Sequence, residues 1–183
     1  MYTDEEGRLW IGTNDSGLSI CIDEKISNVV TEEDGLSSDS VRCITQCTDG
    51  DYYVGTTGAL AVLTLSGGLS VETVIPDIVY AGSISADSNG NVAVVTSEGT
   101  LYLLKNRQIV SEAKAKEGEV YTCCSFAEDG TLYAGTTGST IAAFDICATG
   151  LKQKTTRSCE GLRNLKSLHF SEEGVLFACG DTG

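Results

Sequence analysis

Apolar and polar positions alternate along this chain in short runs: Val41-Arg42-Cys43-Ile44, Ala81-Gly82-Ser83-Ile84, Tyr121-Thr122-Cys123-Cys124 and Leu165-Lys166-Ser167-Leu168. A period of two places successive side chains on opposite faces, so each run predicts a strand. Ile44, Ile84, Cys124 and Leu168 all stand six residues before a glycine, at Gly50, Gly90, Gly130 and Gly174. Past that glycine the alternation resumes, with Trp10, Tyr53, Ala93, Tyr133 and Phe177 at one shared offset.

The two strands and their turn recur as DEEGRLWIGT, CTDGDYYVGT, DSNGNVAVVT, AEDGTLYAGT and SEEGVLFACG, centred on Gly7, Gly50, Gly90, Gly130 and Gly174. A spacing of about forty residues is that of a four-stranded propeller blade. Asp49-Gly50, Asn89-Gly90 and Asp129-Gly130 read as two-residue hairpin turns, because Gly and Asn tolerate positive φ. Glu6-Gly7 and Glu173-Gly174 hold the same place. The pairs Gly12-Thr13, Gly55-Thr56 and Gly135-Thr136 put a glycine inside a strand, which marks close backbone approach where inner strands converge. Val95-Thr96 and Cys179-Gly180 depart from that pair.

Further turns are expected at Gly17, Gly58, Gly99, Gly138 and Gly183. Third strands are read at 18–22, 60–65, 101–104 and 141–146, and fourth strands at 26–31, 71–75, 108–113 and 151–156. Residues 105–115 come closest to a helical period, but a Val-containing strand and a turn explain them better. The fold class is therefore all-β: a β-propeller of about four four-stranded blades, as an open arc or part of a larger ring. No inner strand is read before Gly7, and the last repeat is read as stopping after its second strand. Residues 1–183 are thus expected to form a partial propeller whose flanking blades and output module are missing, or an arc closed by a second copy as a homodimer.

Charge narrows the function classes. Twelve Lys and Arg face twenty-six Asp and Glu, for a net charge of −14. Such a surface repels phosphate backbones and anionic lipid. No nucleic-acid partner is expected, and no apolar run is long enough for this segment to enter a membrane directly. The eight cysteines, Cys21, Cys43, Cys47, Cys123, Cys124, Cys147, Cys159 and Cys179, lie mostly in apolar strand runs, and buried free thiols are favoured over disulfides or a metal site. Cys43 and Cys47 lack zinc-knuckle spacing.

Candidate chemistry is sparse. His169, the sole histidine, sits between Leu168 and Phe170 in an inner-strand pattern and reads as structural. Asp4, Asp49, Asp87 and Asp129 precede turns; they could ring a calcium ion, but carboxylates there more often accept turn N–H groups. The runs Asp4-Glu5-Glu6 and Glu32-Glu33-Asp34 read as solvated loops. Trp10 and Tyr53 could stack on a sugar, but their repeated position predicts packing between blades. Gly67-Gly68 is no phosphate cradle, since neither a helix start nor a lysine follows. The sequence assigns no catalytic, cofactor or metal residue, and it names no ligand-binding residue.

EEGRLWIGTNDSGLSICID and DGLSSDSVRCITQCTDGDYYVGT, with its Gly35-Leu36-Ser37-Ser38-Asp39-Ser40-Val41 phrase, resemble the two-component regulator propeller repeat. The later repeats keep the turn glycine and read as generic propeller. That resemblance implies an extracytoplasmic sensor segment of a bacterial membrane receptor, binding a glycan, another small molecule or a protein. Any kinase or cyclase would lie in another module, so this chain itself is expected not to be an enzyme. The alternatives are a propeller-fold carbohydrate lyase or hydrolase, and a structural scaffold that docks another protein.

Overall fold

A computed structural model describes residues 1–65, 68–171 and 173–181, the side chain of Thr73 excepted. Gly67 of the Gly67-Gly68 pair and the turn read at Gly183 lie outside the described residues. The alternating runs become eighteen strands among the described residues, in five sheets. In each sheet, strands adjacent in sequence are adjacent in space. The first sheet holds β1 (Tyr2–Thr3), β2 (Leu9–Gly12), β3 (Leu18–Ile22) and β4 (Lys25–Val30). The second holds β5 (Val41–Gln46), β6 (Tyr52–Thr56), β7 (Leu60–Thr64) and β8 (Ser70–Ile75). The third holds β9 (Ala81–Ala86), β10 (Asn91–Thr96), β11 (Thr100–Lys105) and β12 (Gln108–Lys114), and the fourth β13 (Tyr121–Phe126), β14 (Leu132–Thr136), β15 (Thr140–Cys147) and β16 (Gly150–Ser158). The fifth pairs β17 (Ser167–Phe170) with β18 (Leu176–Cys179). The chain divides into two units, Met1–Ala81 and Gly82–Gly183.

Two expectations need correction. The first repeat does have an inner strand: Tyr2 pairs with Trp10 and Thr3 with Leu9. Two residues are too few to show a period, so the pattern could not reveal them. The recurrent turn is not a two-residue hairpin either. Cys47 N donates to Asp51 O and Gly50 N to Cys47 O, enclosing the three residues Thr48, Asp49 and Gly50. Only Gly50 has positive φ, at 87°, whereas a two-residue type I′ turn needs it twice. A type I turn closed by a left-handed glycine satisfies this geometry. The same bond pair recurs at Asp4/Arg8, Asp87/Asn91, Ala127/Thr131 and Ser171/Val175.

Each four-stranded sheet has a register shift between its third and fourth strands, and the second and fourth sheets have another between their first and second strands, at Val41/Cys43 and Tyr121/Cys123. The shifts between third and fourth strands fall at Ile20/Cys21, Val62/Leu63, Leu103/Leu104 and Ala143/Phe144. A bulge there adds local twist to the outer edge of each sheet.

In the first unit the core lies between two sheets. Trp10, Leu18, Ile20 and Val30 of the first sheet meet Val41, Tyr52, Val54, Ala61 and Leu63 of the second, with Leu36 of the connection. Fully burying each aliphatic or aromatic side chain contributes roughly 1.5–3 kcal/mol. In the second unit, Ala93, Val95, Leu101 and Leu103 of the third sheet pack with Tyr121, Phe126, Leu132 and Phe144 of the fourth. Tyr121 and Phe144 meet edge to face at 6.0 Å.

The glycine before threonine does permit close approach. A Cβ on Gly55 would lie 2.5 Å from Cys43 Sγ and 2.6 Å from Ala81 Cβ. At Gly12 and Gly135 the obstructing residues are Val41 and Cys123, with Leu165 also close to Gly135. Each glycine therefore clears space for the residue that opens the following repeat.

Between the first two sheets, Thr31 caps a short 3-10 turn at Glu32–Asp34, so the acidic run is folded locally. Glu32 N donates to Asp39 Oδ1 and Asp39 N to Glu32 Oε1. Ser37 and Ser38 then bond Thr56 and Thr57 through their hydroxyls, at 2.9 and 2.8 Å. The Gly35–Val41 phrase thus works as a polar staple on the turn between β6 and β7.

Candidate functional site

The sequence-predicted carboxylates occupy two different positions in the turn. Asp4 and Asp87 open it, whereas Asp49 and Asp129 stand one residue before its glycine. All four accept turn N–H groups through Oδ1: Asp4 from Glu6 and Arg8, Asp87 from Asn89 and Asn91, Asp49 from Asp51, and Asp129 from Thr131. Among the described residues no group of three or more His, Cys, Asp and Glu side chains is placed to hold a metal ion.

Asp4 anchors a network of the first unit. Its Oδ2 accepts Arg8 Nε at 2.6 Å, Trp10 Nε1 at 2.8 Å and Tyr52 OH at 3.0 Å. Arg8 Nη2 also donates to Glu6 at 2.7 Å and to Tyr52 OH at 2.7 Å. Trp10 stacks on Tyr52 with ring centroids 4.1 Å apart. Burial works against the charged carboxylate, but the bonds from Trp10, Arg8 and Tyr52 outweigh it and hold Asp4 at about 2. Burial first, then the bond to Asp4, raises the Tyr52 hydroxyl. This network is closed on itself and leaves a cavity of only about 210 Å³ beside Arg8 and Tyr52.

The corresponding place in the second unit is open. A cavity of about 660 Å³ lies among Asp87, Asn89 and Asn91 of the β9–β10 turn, Asp129 and Thr131 of the β13–β14 turn, and Asp145 beside the β15–β16 turn. That volume is within the range of small-molecule sites. Asp87 and Asn91 are buried in its wall, and Asp87 Oδ2 accepts Asn91 Nδ2 at 2.7 Å. The Thr131 backbone N–H bond comes first in lowering the Asp129 carboxyl. Lys105 supplies a positive charge to the wall, and Asp145 is paired with Lys154 at 3.0 Å. Sequence reasoning picked out Asp87 and Asp129 as turn residues, but not the cavity; the signal was the change of Arg8, Trp10 and Tyr52 to Asn91, Ala93 and Leu132 at repeat-equivalent places.

The remaining candidates lie elsewhere. Trp10 and Tyr53 are fully buried, out of reach of a sugar. Phe177 is exposed, and Tyr133 packs on Phe170 at 5.2 Å. His169 is exposed on β17 opposite Phe177. Glu119, which the sequence did not single out, accepts the Thr136 and Thr140 hydroxyls and pairs with Lys116 at 2.8 Å. It holds the β14–β15 turn much as Ser37 holds the β6–β7 turn.

The eight cysteines carry free thiols. Burial pushes the Cys43 thiol up to about 12 and raises Cys47, Cys123 and Cys159. Cys147 and Cys179 are exposed. A maleimide reagent at pH 7 will therefore label Cys147 and Cys179 first, and Cys43 and Cys123 only after unfolding. Peptide mass mapping over time checks the order; early labelling of Cys43 would contradict it.

Comparison with known proteins bears on the whole chain. Residues 1–15 match the family described as "Two component regulator propeller". The chain opens on a regulator propeller repeat. The matched run contains Asp4, Gly7, Trp10 and Gly12, the residues that set the turn, the network and the close approach described above.

Beyond that repeat, solved structures show the fold. An extracellular domain assigned to a hybrid two component system, BT3049 from B. thetaiotaomicron, superposes over 97% of this chain with a TM-score of 0.76 at 20% identity. A second such domain, of BT4673 from the same organism, covers 96% with a TM-score of 0.73 at 21% identity. The WD40 β-propeller domain of Doa1 covers 96% with a TM-score of 0.71 at 10% identity. The fold is a β-propeller, and the four-stranded sheets are its blades. The chain spans 25% of the length of each of the two extracellular domains and 58% of the Doa1 domain. No curated protein sequence matches it.

Proposed function

We propose that this chain is a non-catalytic segment of a sensor propeller, on the extracytoplasmic side of a bacterial signal-transduction receptor. The observation that carries this reading is the regulator propeller repeat at residues 1–15, joined to a fold shared with extracellular sensor domains along almost the whole chain. The polar cavity of the second unit is the place for a glycan or another small molecule. Flanking blades or a second copy of the chain complete the receptor around it. A ligand bound there signals only if it favours one arrangement of the receptor over another.

The coding sequence around this segment tests the reading. It will encode further regulator propeller repeats, a membrane-spanning helix and a kinase or cyclase module. A reading frame with neither a membrane span nor an output module would overturn it.

A further inference from the structure

The repeats supply an internal comparison for the cavity of the second unit. Asp4, Glu6, Arg8, Trp10 and Tyr52 correspond, by offset from the turn glycines, to Asp87, Asn89, Asn91, Ala93 and Leu132. The carboxylate that opens the turn is kept, with the same two backbone bonds to its Oδ1. What surrounds its Oδ2 is not kept. In the first unit that oxygen takes a guanidinium, an indole N–H and a phenol O–H. In the second, its one side-chain donor among the described residues is Asn91 Nδ2. The cation has been replaced by a neutral amide, and the two aromatic rings by a methyl group and an isobutyl group.

Space and charge change together. The cavity at this place is about 210 Å³ in the first unit and about 660 Å³ in the second. Asp87 is 7% exposed and Asp129 is exposed. Lys105 stands in the same wall and Lys154 acts on Asp129 from nearby, but neither carboxylate forms an ion pair with a described residue. A buried carboxylate without a cation is costly relative to the same carboxylate beside a guanidinium. The first unit shows which chemistry suits this turn: a planar or compact cation donating to Oδ2.

We propose that the cavity takes a small ligand carrying a protonated amine or a guanidinium, with Asp87 Oδ2 as the acceptor and Asp129 as the second negative wall. The positive group lies where Arg8 lies in the first repeat. The ligand supplies in trans the charge that Asn91 no longer provides. This rests on the reading of the cavity as the sensor's ligand site and adds the charge of what it recognises.

The test uses the 183-residue chain and two matched probe pairs: methylguanidinium with its neutral isostere N-methylurea, and glucosamine with glucose. Amide shifts followed by NMR at Asn89, Asn91 and Thr131 report occupancy. The two cationic probes will perturb these amides saturably and their neutral partners will not. Asp87→Asn will weaken the cationic probes at least about ten-fold, since hydrogen bonds to charged groups contribute roughly 1.5–3 kcal/mol. Its amide oxygen still accepts the turn N–H groups, so the fold is kept. Asn91→Arg rebuilds the first repeat's pair in the second, and will abolish binding while keeping the thermal midpoint.

Equal perturbation by charged and neutral probes, or undiminished binding by Asn91→Arg, would overturn the proposal. So would saturation by calcium alone. Binding of a neutral sugar that Asn91→Arg blocks would sink the charge assignment and keep the ligand site. No perturbation by any probe, with receptor signalling unchanged by Asn91→Arg, would remove the site as well.

Discussion

Asp4→Asn will destabilise the first unit by about 3 kcal/mol at pH 7, the lower end of what breaking a buried ion pair costs. The lower end applies because the Arg8 side chain keeps 22% exposure and can be partly solvated, whereas the Asp4 side chain is fully buried. Asparagine preserves an oxygen for the Glu6 and Arg8 backbone N–H groups. It removes the charge that meets Arg8 Nε, Trp10 Nε1 and Tyr52 OH at one oxygen. Trp10 is the protein's sole tryptophan and stacks within the network, so its fluorescence in a urea titration reads this site directly. Tyr52→Phe removes only the phenol from the same cluster and will cost about 1 kcal/mol.

The same carboxylate sets an acid limit. Its folded value of about 2 lies below the unfolded value of 3.8. A depressed carboxylate stabilises the fold fully above the unfolded value, and that stabilisation drains away as pH falls through the folded one. The difference corresponds to about 2.5 kcal/mol, lost between roughly pH 5 and pH 1. Asp4→Asn has nothing there to titrate, so the gap between the two proteins will narrow across that window. Parallel curves would show that the network does not hold the charge on Asp4.

Much of this architecture was legible because each strand reports its own faces. Ile44, Ile84, Cys124 and Leu168 recur at one offset from a glycine since every blade repeats the same burial problem. Those positions fixed the sheets, and the third and fourth strands fell within one or two residues of their read positions. The turn type was hidden because Asp-Gly serves both a two-residue hairpin and the end of a type I turn; only the φ of the residue before glycine separates them. The bulges between third and fourth strands leave no compositional mark, since they arise from register between two chains of backbone.

The candidate site was legible only in part, for a related reason. Asp87 looks like any turn carboxylate when its own repeat is read alone. Its meaning comes from what has been removed around it, and a deletion of function is visible only when Asn91, Ala93 and Leu132 are aligned with Arg8, Trp10 and Tyr52. Trp10 was correctly placed between blades, yet its indole N–H bond to Asp4 depends on a contact six residues back in sequence and on Tyr52 in another sheet.

Gly17→Ala will have the largest single effect on the first unit, about 4 kcal/mol. Gly17 has φ of +72°, where a side chain costs roughly 1–2 kcal/mol. A Cβ there would also press into the backbone carbonyl of Val30 and touch Thr31. Backbone cannot rotate out of the way as a flexible side chain can, so overpacking adds about 1–3 kcal/mol or more. The position is tied on both sides, because Gly17 N donates to Asp39 O and Gly17 O accepts Thr13 N. Moving the turn would therefore pull on the linker whose Ser37 and Ser38 hold the next blade. Gly7→Ala isolates the backbone share: its φ is +78°, but nothing lies within 4 Å of the added Cβ, so about 1 kcal/mol is expected. Unfolding free energies from urea titrations followed by Trp10 fluorescence will separate the two variants by about 3 kcal/mol. Equal free energies would mean that the Gly17 turn shifts freely, and that the Asp39 linkage does not hold the first two blades in register.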